Sequence, residues 1–187
     1  SAESARFFSS QNALSLLRVF YEMGLETDTT SLFRLALESC LELLGGDEGV
    51  IMECHDTKTR LKVLSIRSHL RDTKRIEIPQ RVLDLVIRDE KCVHCPDVAR
   101  DPEFEHIVSR EGRSIHSFMA CPITMAGDYF GFIYLHGDSP ALEYDPIALR
   151  SLFLIATHLA GLLEPHPTRF AHERGRSKGS DTETNPF

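Results

Sequence analysis

The sequence predicts an α+β fold. An antiparallel sheet carries the first and last helices on one face and the short middle helices on the other. Three observations lead there. Apolar residues recur with a helical period near both ends of the chain. From Gly49 the period shortens to that of strands. Turn-forming residues then break the strand-like runs at short intervals. The 187 residues suit one domain with extensions, and an apolar content of 42% belongs to a globular chain.

The first helix is expected from Ser10 to Met23. Leu14, Leu17 and Tyr21 share one face there, Leu16 and Phe20 widen it, and Gly24 closes it. Asp28 to Ser31 offer N-caps for a second helix through Leu44, with Leu32, Leu35, Ala36, Cys40 and Leu43 inward and Gly45-Gly46 as the stop. Gly49–Cys54 and Leu61–Arg67 form a hairpin, and Ile76–Pro79 is a short extended piece. Val82–Arg88 suits one or two helical turns. Cys92–Cys95 is a strand stopped by Pro96, which cannot donate to a ladder. Asp101-Pro102 opens a helix through about Arg110.

Ser117–Met125 and Tyr129–Leu135 are strands joined by the tight turn Ala126-Gly127-Asp128. Asp145-Pro146 starts a last helix with Leu149, Leu152, Phe153, Ala156, Leu159, Ala160 and Leu163 on one broad face, ended by Pro165 and Pro167. The expected units are a helical arm over 1–28, the domain over 29–164 and a tail over 165–187.

Composition excludes some functions. The net charge is -7; the tail holds four basic and three acidic residues, which leaves the body at -8. Nucleic-acid binding needs a clustered positive face, so no nucleic-acid partner is expected. No apolar run approaches the ~18 residues that span a bilayer, and no signal peptide opens the chain, so a cytoplasmic protein without membrane contact is expected. The missing initiator Met suggests a piece of a longer protein, with an upstream domain and a natural end near Phe187. Five cysteines, an odd number, read as thiols in a reducing compartment.

Four local patterns carry a family likeness: Cys95-Pro96-Asp97-Val98 at a strand end, Asp101-Pro102-Glu103-Phe104 at a helix start, Ala120-Cys121-Pro122-Ile123, and Gly131-Phe132-Ile133-Tyr134-Leu135 before the final helix. In that order and spacing the chain, over roughly Thr29 to Leu163, resembles a GAF domain, the small-molecule-binding regulatory module of many signalling proteins. The resemblance implies the sheet described above, a cap from Asp97, and a pocket between the sheet and the middle helices. Its implied lining is Val93, Cys95, Phe104, Ile107, His116, Phe118 and Tyr134, mostly apolar with a few polar groups, which suits a small planar or amphipathic ligand.

Departures from the family narrow the ligand. Ile78-Pro79-Gln80-Arg81-Val82 stands where many members carry loop glycines. Cyclic-nucleotide binders show an Asn-Lys pair, a Phe and Asp-Glu, where this chain has His136-Gly137 and Tyr144-Asp145-Pro146; cyclic GMP is not expected. The Cys54-His55 pair lies at the wrong strand for covalent bilin attachment. Free-methionine-sulfoxide reductases of this fold need cysteines where Pro79–Leu85 and Glu111–Ser117 have none, so no enzyme is expected.

Cys92-Val93-His94-Cys95 invites a metal or redox reading. On a strand Cys92 and His94 face one side, Val93 and Cys95 the other. The Cα atoms of Cys92 and Cys95 would lie about 10 Å apart at ~3.3 Å per step, and a disulfide needs less than about 7 Å. That pair is therefore not an internal disulfide. Zinc would need further ligands such as Cys54 and His55. Most of the nine histidines read as solvated surface; His106 and His116 flank the pocket wall, where one could hold haem or another planar ligand.

The leading expectation is a sensory, non-catalytic domain of a bacterial-type signalling protein. Two alternatives stand beside it. One is a homodimerisation module without a pocket, pairing the first and last helices through Leu16, Phe20, Leu152 and Phe153. The other is a thiol or metal redox sensor using Cys92, Cys95 or Cys121.

Overall fold

The structure is a computed structural model and describes residues 2–55, 60–69, 75–104, 115–140, 142 and 144–164, with side chains from residue 13 onward. The helices are α1 (Ala2–Leu25), α2 (Thr29–Leu44), the short α3 (Gln80–Leu83) and α4 (Pro146–Leu163). The strands are β1 (Glu48–His55), β2 (Arg60–Ser68), β3 (Val93–Cys95), β4 (Ser117–Met125) and β5 (Asp128–Gly137).

All four strand pairings are antiparallel, in the order β2-β1-β5-β4-β3. The two hairpins put sequence neighbours side by side, and β5 closes against β1 with Val50 opposite Tyr134. That closure depends on Gly131, which faces Glu53 across the ladder: a Cβ there would overlap the Met52 carbonyl oxygen. Between β4 and β5 the turn is Ala126 and Gly127, with φ of 50° and 90°. Positive φ at both central positions matches the right-handed twist of a hairpin.

Caps fix the helix starts. Asp28 accepts the Ser31 N–H at 2.7 Å, and Asp145 accepts those of Ile147 and Ala148 at 2.9 and 2.7 Å, with Pro146 in the first turn. α1, α2 and α4 cover one face of the sheet, where Ile51, Met119, Cys121, Ile133 and Leu135 meet Leu37, Leu41, Leu152, Ile155 and Leu159. α4 is long and apolar enough by length and composition to cross a membrane, contrary to the sequence expectation of no such run. Its Leu152, Ile155, Ala156 and Leu159 are buried in this core.

Several inward faces differ from those expected. α1 buries Leu16, Val19 and Met23, while Leu14, Leu17 and Tyr21 are exposed. The helix is apolar on two sides, and its packing against α2 and α4 selects one. α2 turns Phe33, Leu37 and Leu41 fully inward and leaves Leu35 and Leu43 partly buried. In α4, Phe153 is exposed and Ile155 takes its place in the core. Residues 76–79 join no strand, although Ile76 is buried. Asp101 starts a turn rather than a helix within the described residues: its side chain accepts the Glu103 N–H at 2.9 Å and its carbonyl that of Phe104 at 2.9 Å. Most of the helix expected through Arg110 lies outside the described residues.

Candidate functional site

The other face of the sheet carries a second core. Period-two alternation points Val50 of β1, Phe118 and Ala120 of β4, Phe132 and Tyr134 of β5 and Cys95 of β3 the same way. Val82, Val86 and Ile87 cover them from α3 and from the π-helical turn that continues it (Asp84–Arg88), with Val98 and Phe104 from the segment after β3. Asp97 caps the turn that places Val98, accepting the Ala99 N–H at 3.1 Å.

An aromatic row crosses this layer. Phe104 meets Phe118 edge-on at 4.9 Å, Phe118 lies 6.3 Å from Tyr134, and Tyr134 lies 5.6 Å from the His136 ring. Beyond it the layer turns polar. His136 Nε2 stands 3.5 Å from both Glu48 Oε2 and Asp138 Oδ1, and the Ser68 hydroxyl donates to Glu48 at 2.8 Å. Glu48 and His136 are both buried.

Two buried polar atoms lack a partner among the described residues: the Tyr134 hydroxyl in this layer and His116 Nε2 just before β4. Leaving such a group unsatisfied costs about 1–3 kcal/mol, so a native site explains it by a water or a ligand. Burial, then Tyr144, Asp138 and Glu48, push the Tyr134 phenol well above its usual range, so it stays a neutral donor. Burial, reinforced by Asp101, pushes the Cys95 thiol up to about 11, and its Sγ lies 3.8 Å from an Asp101 oxygen. That thiol is protonated at neutral pH and a poor nucleophile. Among the described residues, no group of three His, Cys, Asp or Glu side chains could hold a metal ion.

Of the lining residues expected from sequence, Cys95, Phe104, Phe118 and Tyr134 lie in this layer, with Val93 packed against it. The N–H of His116 donates to the Gly137 carbonyl at 2.9 Å, which ties the start of β4 to the end of β5. Ile107 and His106 lie outside the described residues. Sequence reasoning missed Glu48, His136 and Asp138, because it began the strand at Gly49 and ended the other at Leu135. Charged residues at both ends of paired apolar strands were the available signal.

It also missed a covalent bond. Cys92 and Cys121 form a disulfide, with Cα atoms 4.3 Å apart, so the reading of five thiols is corrected: Cys40, Cys54 and Cys95 alone stay outside a disulfide among the described residues. Continuing the β3–β4 register by one residue from Val93 and Ala120 sets the two cysteines opposite each other. The exclusion of a Cys92–Cys95 bond concerned a different pair, and Cys95 is a free thiol on the other face.

A five-stranded antiparallel sheet with long helices on one face and a mixed aromatic and polar layer under short helical turns on the other defines a class of α+β regulatory folds. A family model described as GAF domain matches residues 26–164, and the chain belongs to that family. GAF domains are as a rule regulatory, sensory modules of signalling proteins.

Solved structures with the same fold include the GAF domain of a phosphoenolpyruvate-protein phosphotransferase from Acinetobacter. It has 14% identity and a TM-score of 0.66, over 82% of this chain and 93% of that one. A methyl-accepting chemotaxis protein segment matches at 20% identity and a TM-score of 0.60, over 77% and 93%. The free methionine-R-sulfoxide reductase of Neisseria meningitidis, solved with its substrate, matches at 17% identity and a TM-score of 0.65, over 83% and 92%. The fold therefore hosts both sensing and catalysis. No curated protein matches the sequence.

Proposed function

We propose that this chain is a non-catalytic sensory domain of a bacterial-type signalling protein, cytoplasmic and without a nucleic-acid partner. It binds a small ligand on the face of the sheet opposite α1, α2 and α4, with residues 29–164 as the sensing unit, 1–28 as a helical arm and 165–187 as a tail. The observation that carries this is the Tyr134 hydroxyl, fully buried and without a partner among the described residues, at the junction of the aromatic row with Glu48, His136 and Asp138. The aromatic row would hold an apolar or planar body and the polar end a hydrogen-bonding group. Chemistry by a thiolate is disfavoured there, because Cys95 stays protonated.

Native mass spectrometry tests it. The wild-type chain purified without denaturation should carry a small molecule that Tyr134→Phe loses, while the emptied variant melts no lower than the emptied wild type. A wild type that carries nothing, and that no metabolite in a panel stabilises, would reject the reading.

A second activity rests on a separate observation. Leu14, Leu17, Tyr21 and Leu25 are exposed along α1 at steps of three, four and four residues, and Phe153 and Leu154 are exposed on α4. That spacing is the seam of a helix pair, and a second copy of this chain offers the same seam in return. Of the four residues expected at the dimer interface, Leu16 and Leu152 are buried within the domain and Phe20 stacks on His158, so Phe153 alone is carried into this version. Light scattering should give a dimer that Leu17→Glu converts to monomer; a monomeric wild type at all concentrations rejects it.

A further inference from the structure

β3 is the most lightly held strand of the sheet. It is three residues long, it lies at the edge of the described sheet, and among the described residues it pairs only with β4, through Val93, His94 and Cys95. An edge strand this short opens easily unless something pins it. The pin is the Cys92–Cys121 bond, one step beyond the last ladder pair and on the helix-covered face of the sheet.

The bond also closes a loop. Its two ends are 29 positions apart in sequence, and Val93, Cys95, Phe104 and Phe118 of the ligand face lie between them. Whatever holds or frees this loop therefore acts on the wall of the ligand face. The two sulfurs differ in access: Cys92 is half-buried, whereas Cys121 is fully buried. Two of the other three thiols, Cys95 and Cys40, are poor rivals. Cys95 projects to the opposite face, and burial pushes Cys40 up to about 12, so neither supplies a thiolate at neutral pH.

We propose that Cys92 and Cys121 are a reversible thiol–disulfide couple that controls how firmly β3 is held, and through it the wall of the ligand face. The consequence for sensing rests on the ligand-binding reading above; the couple itself does not.

The reductant is a small thiol of the glutathione class. Its thiolate attacks Cys92 Sγ, a mixed disulfide forms, and Cys121 leaves as a thiolate that takes up a proton. A second small thiol then attacks the mixed disulfide, freeing the Cys92 thiol. The sum is one protein disulfide and two small thiols giving two protein thiols and one small-molecule disulfide; reoxidation by that disulfide is the reverse.

The test equilibrates the full chain in a graded series of reduced to oxidised glutathione. Acid quenching, alkylation and peptide mass spectrometry then follow each cysteine. The expected result is that Cys92 and Cys121 convert together at an intermediate ratio, while Cys40 and Cys95 remain thiols throughout. Hydrogen exchange at the β3 amides should rise at least tenfold on reduction, with the β1–β2 hairpin unchanged. Cys92→Ser, which spares the core position, should show the fast exchange in every buffer.

The proposal is overturned if the pair stays bonded at the most reducing ratio, or stays reduced at the most oxidising one. β3 exchange that is the same in both states also overturns it. Neither readout needs a ligand, so a protein that binds none but shows this redox-dependent exchange refutes only the ligand reading.

Discussion

The His158 ring of α4 lies against the Phe20 ring of α1, centroids 4.4 Å apart at 26°, with its Nε2 3.1 Å from the Phe20 carbonyl oxygen. A carbonyl only accepts, so Nε2 carries the proton and donates. One residue of the closing helix thus grips both a side chain and the backbone of the first helix.

His158→Ala removes the stack and the hydrogen bond together. It should lower the stability of the domain by about 1–2 kcal/mol. The midpoint of urea unfolding should fall with no change in slope. A variant with wild-type stability would mean that α1 and α4 are held together elsewhere.

Gly131 and Gly161 should respond oppositely to alanine. At Gly131 the new Cβ meets the Met52 carbonyl, so β1 and β5 must separate, at a cost of about 3 kcal/mol or more. Gly161 sits in exposed helix with nothing within 4 Å of an added Cβ, and alanine there should stabilise by about 1 kcal/mol. Thermal melts of the two variants decide it, and a tolerated Gly131→Ala would disprove the close approach.

Cys40 gives a pH prediction. Burial raises its thiol from 9.0 to about 12, so the folded state keeps the proton while the unfolded chain loses it near 9.0. The contribution is fully present below the unfolded value and fades as pH rises through the folded one. From pH 8 to 10 the wild type should lose about 1 kcal/mol more stability than Cys40→Ala. Equal losses in denaturant titrations at the two pH values would show that the thiol is not held neutral.

Much of the fold was legible because local rules agree with the final packing. Asp28 and Asp145 cap the helices that follow them, and the Ala126-Gly127 turn sits between two alternating strands. The end of β3 at Cys95 follows from Pro96. Which side of α1 faces inward was not legible: Leu14-x-x-Leu17 and Leu16-x-x-Val19 are both apolar, and local period cannot choose between them. The polar end of the candidate site was missed for a related reason. Glu48 and His136 look like solvated strand ends until the register sets them opposite each other.

The amino-acid order by itself determined most of the elements, their antiparallel arrangement and the family, since period, caps and turns act over a few residues each. The tertiary structure alone decided which surfaces are covered and that Cys92 meets Cys121. Those cysteines stand 29 positions apart, too far for one tight turn to set their register. Such long-range pairings depend on the sum of packing across the sheet, which no single stretch of sequence encodes.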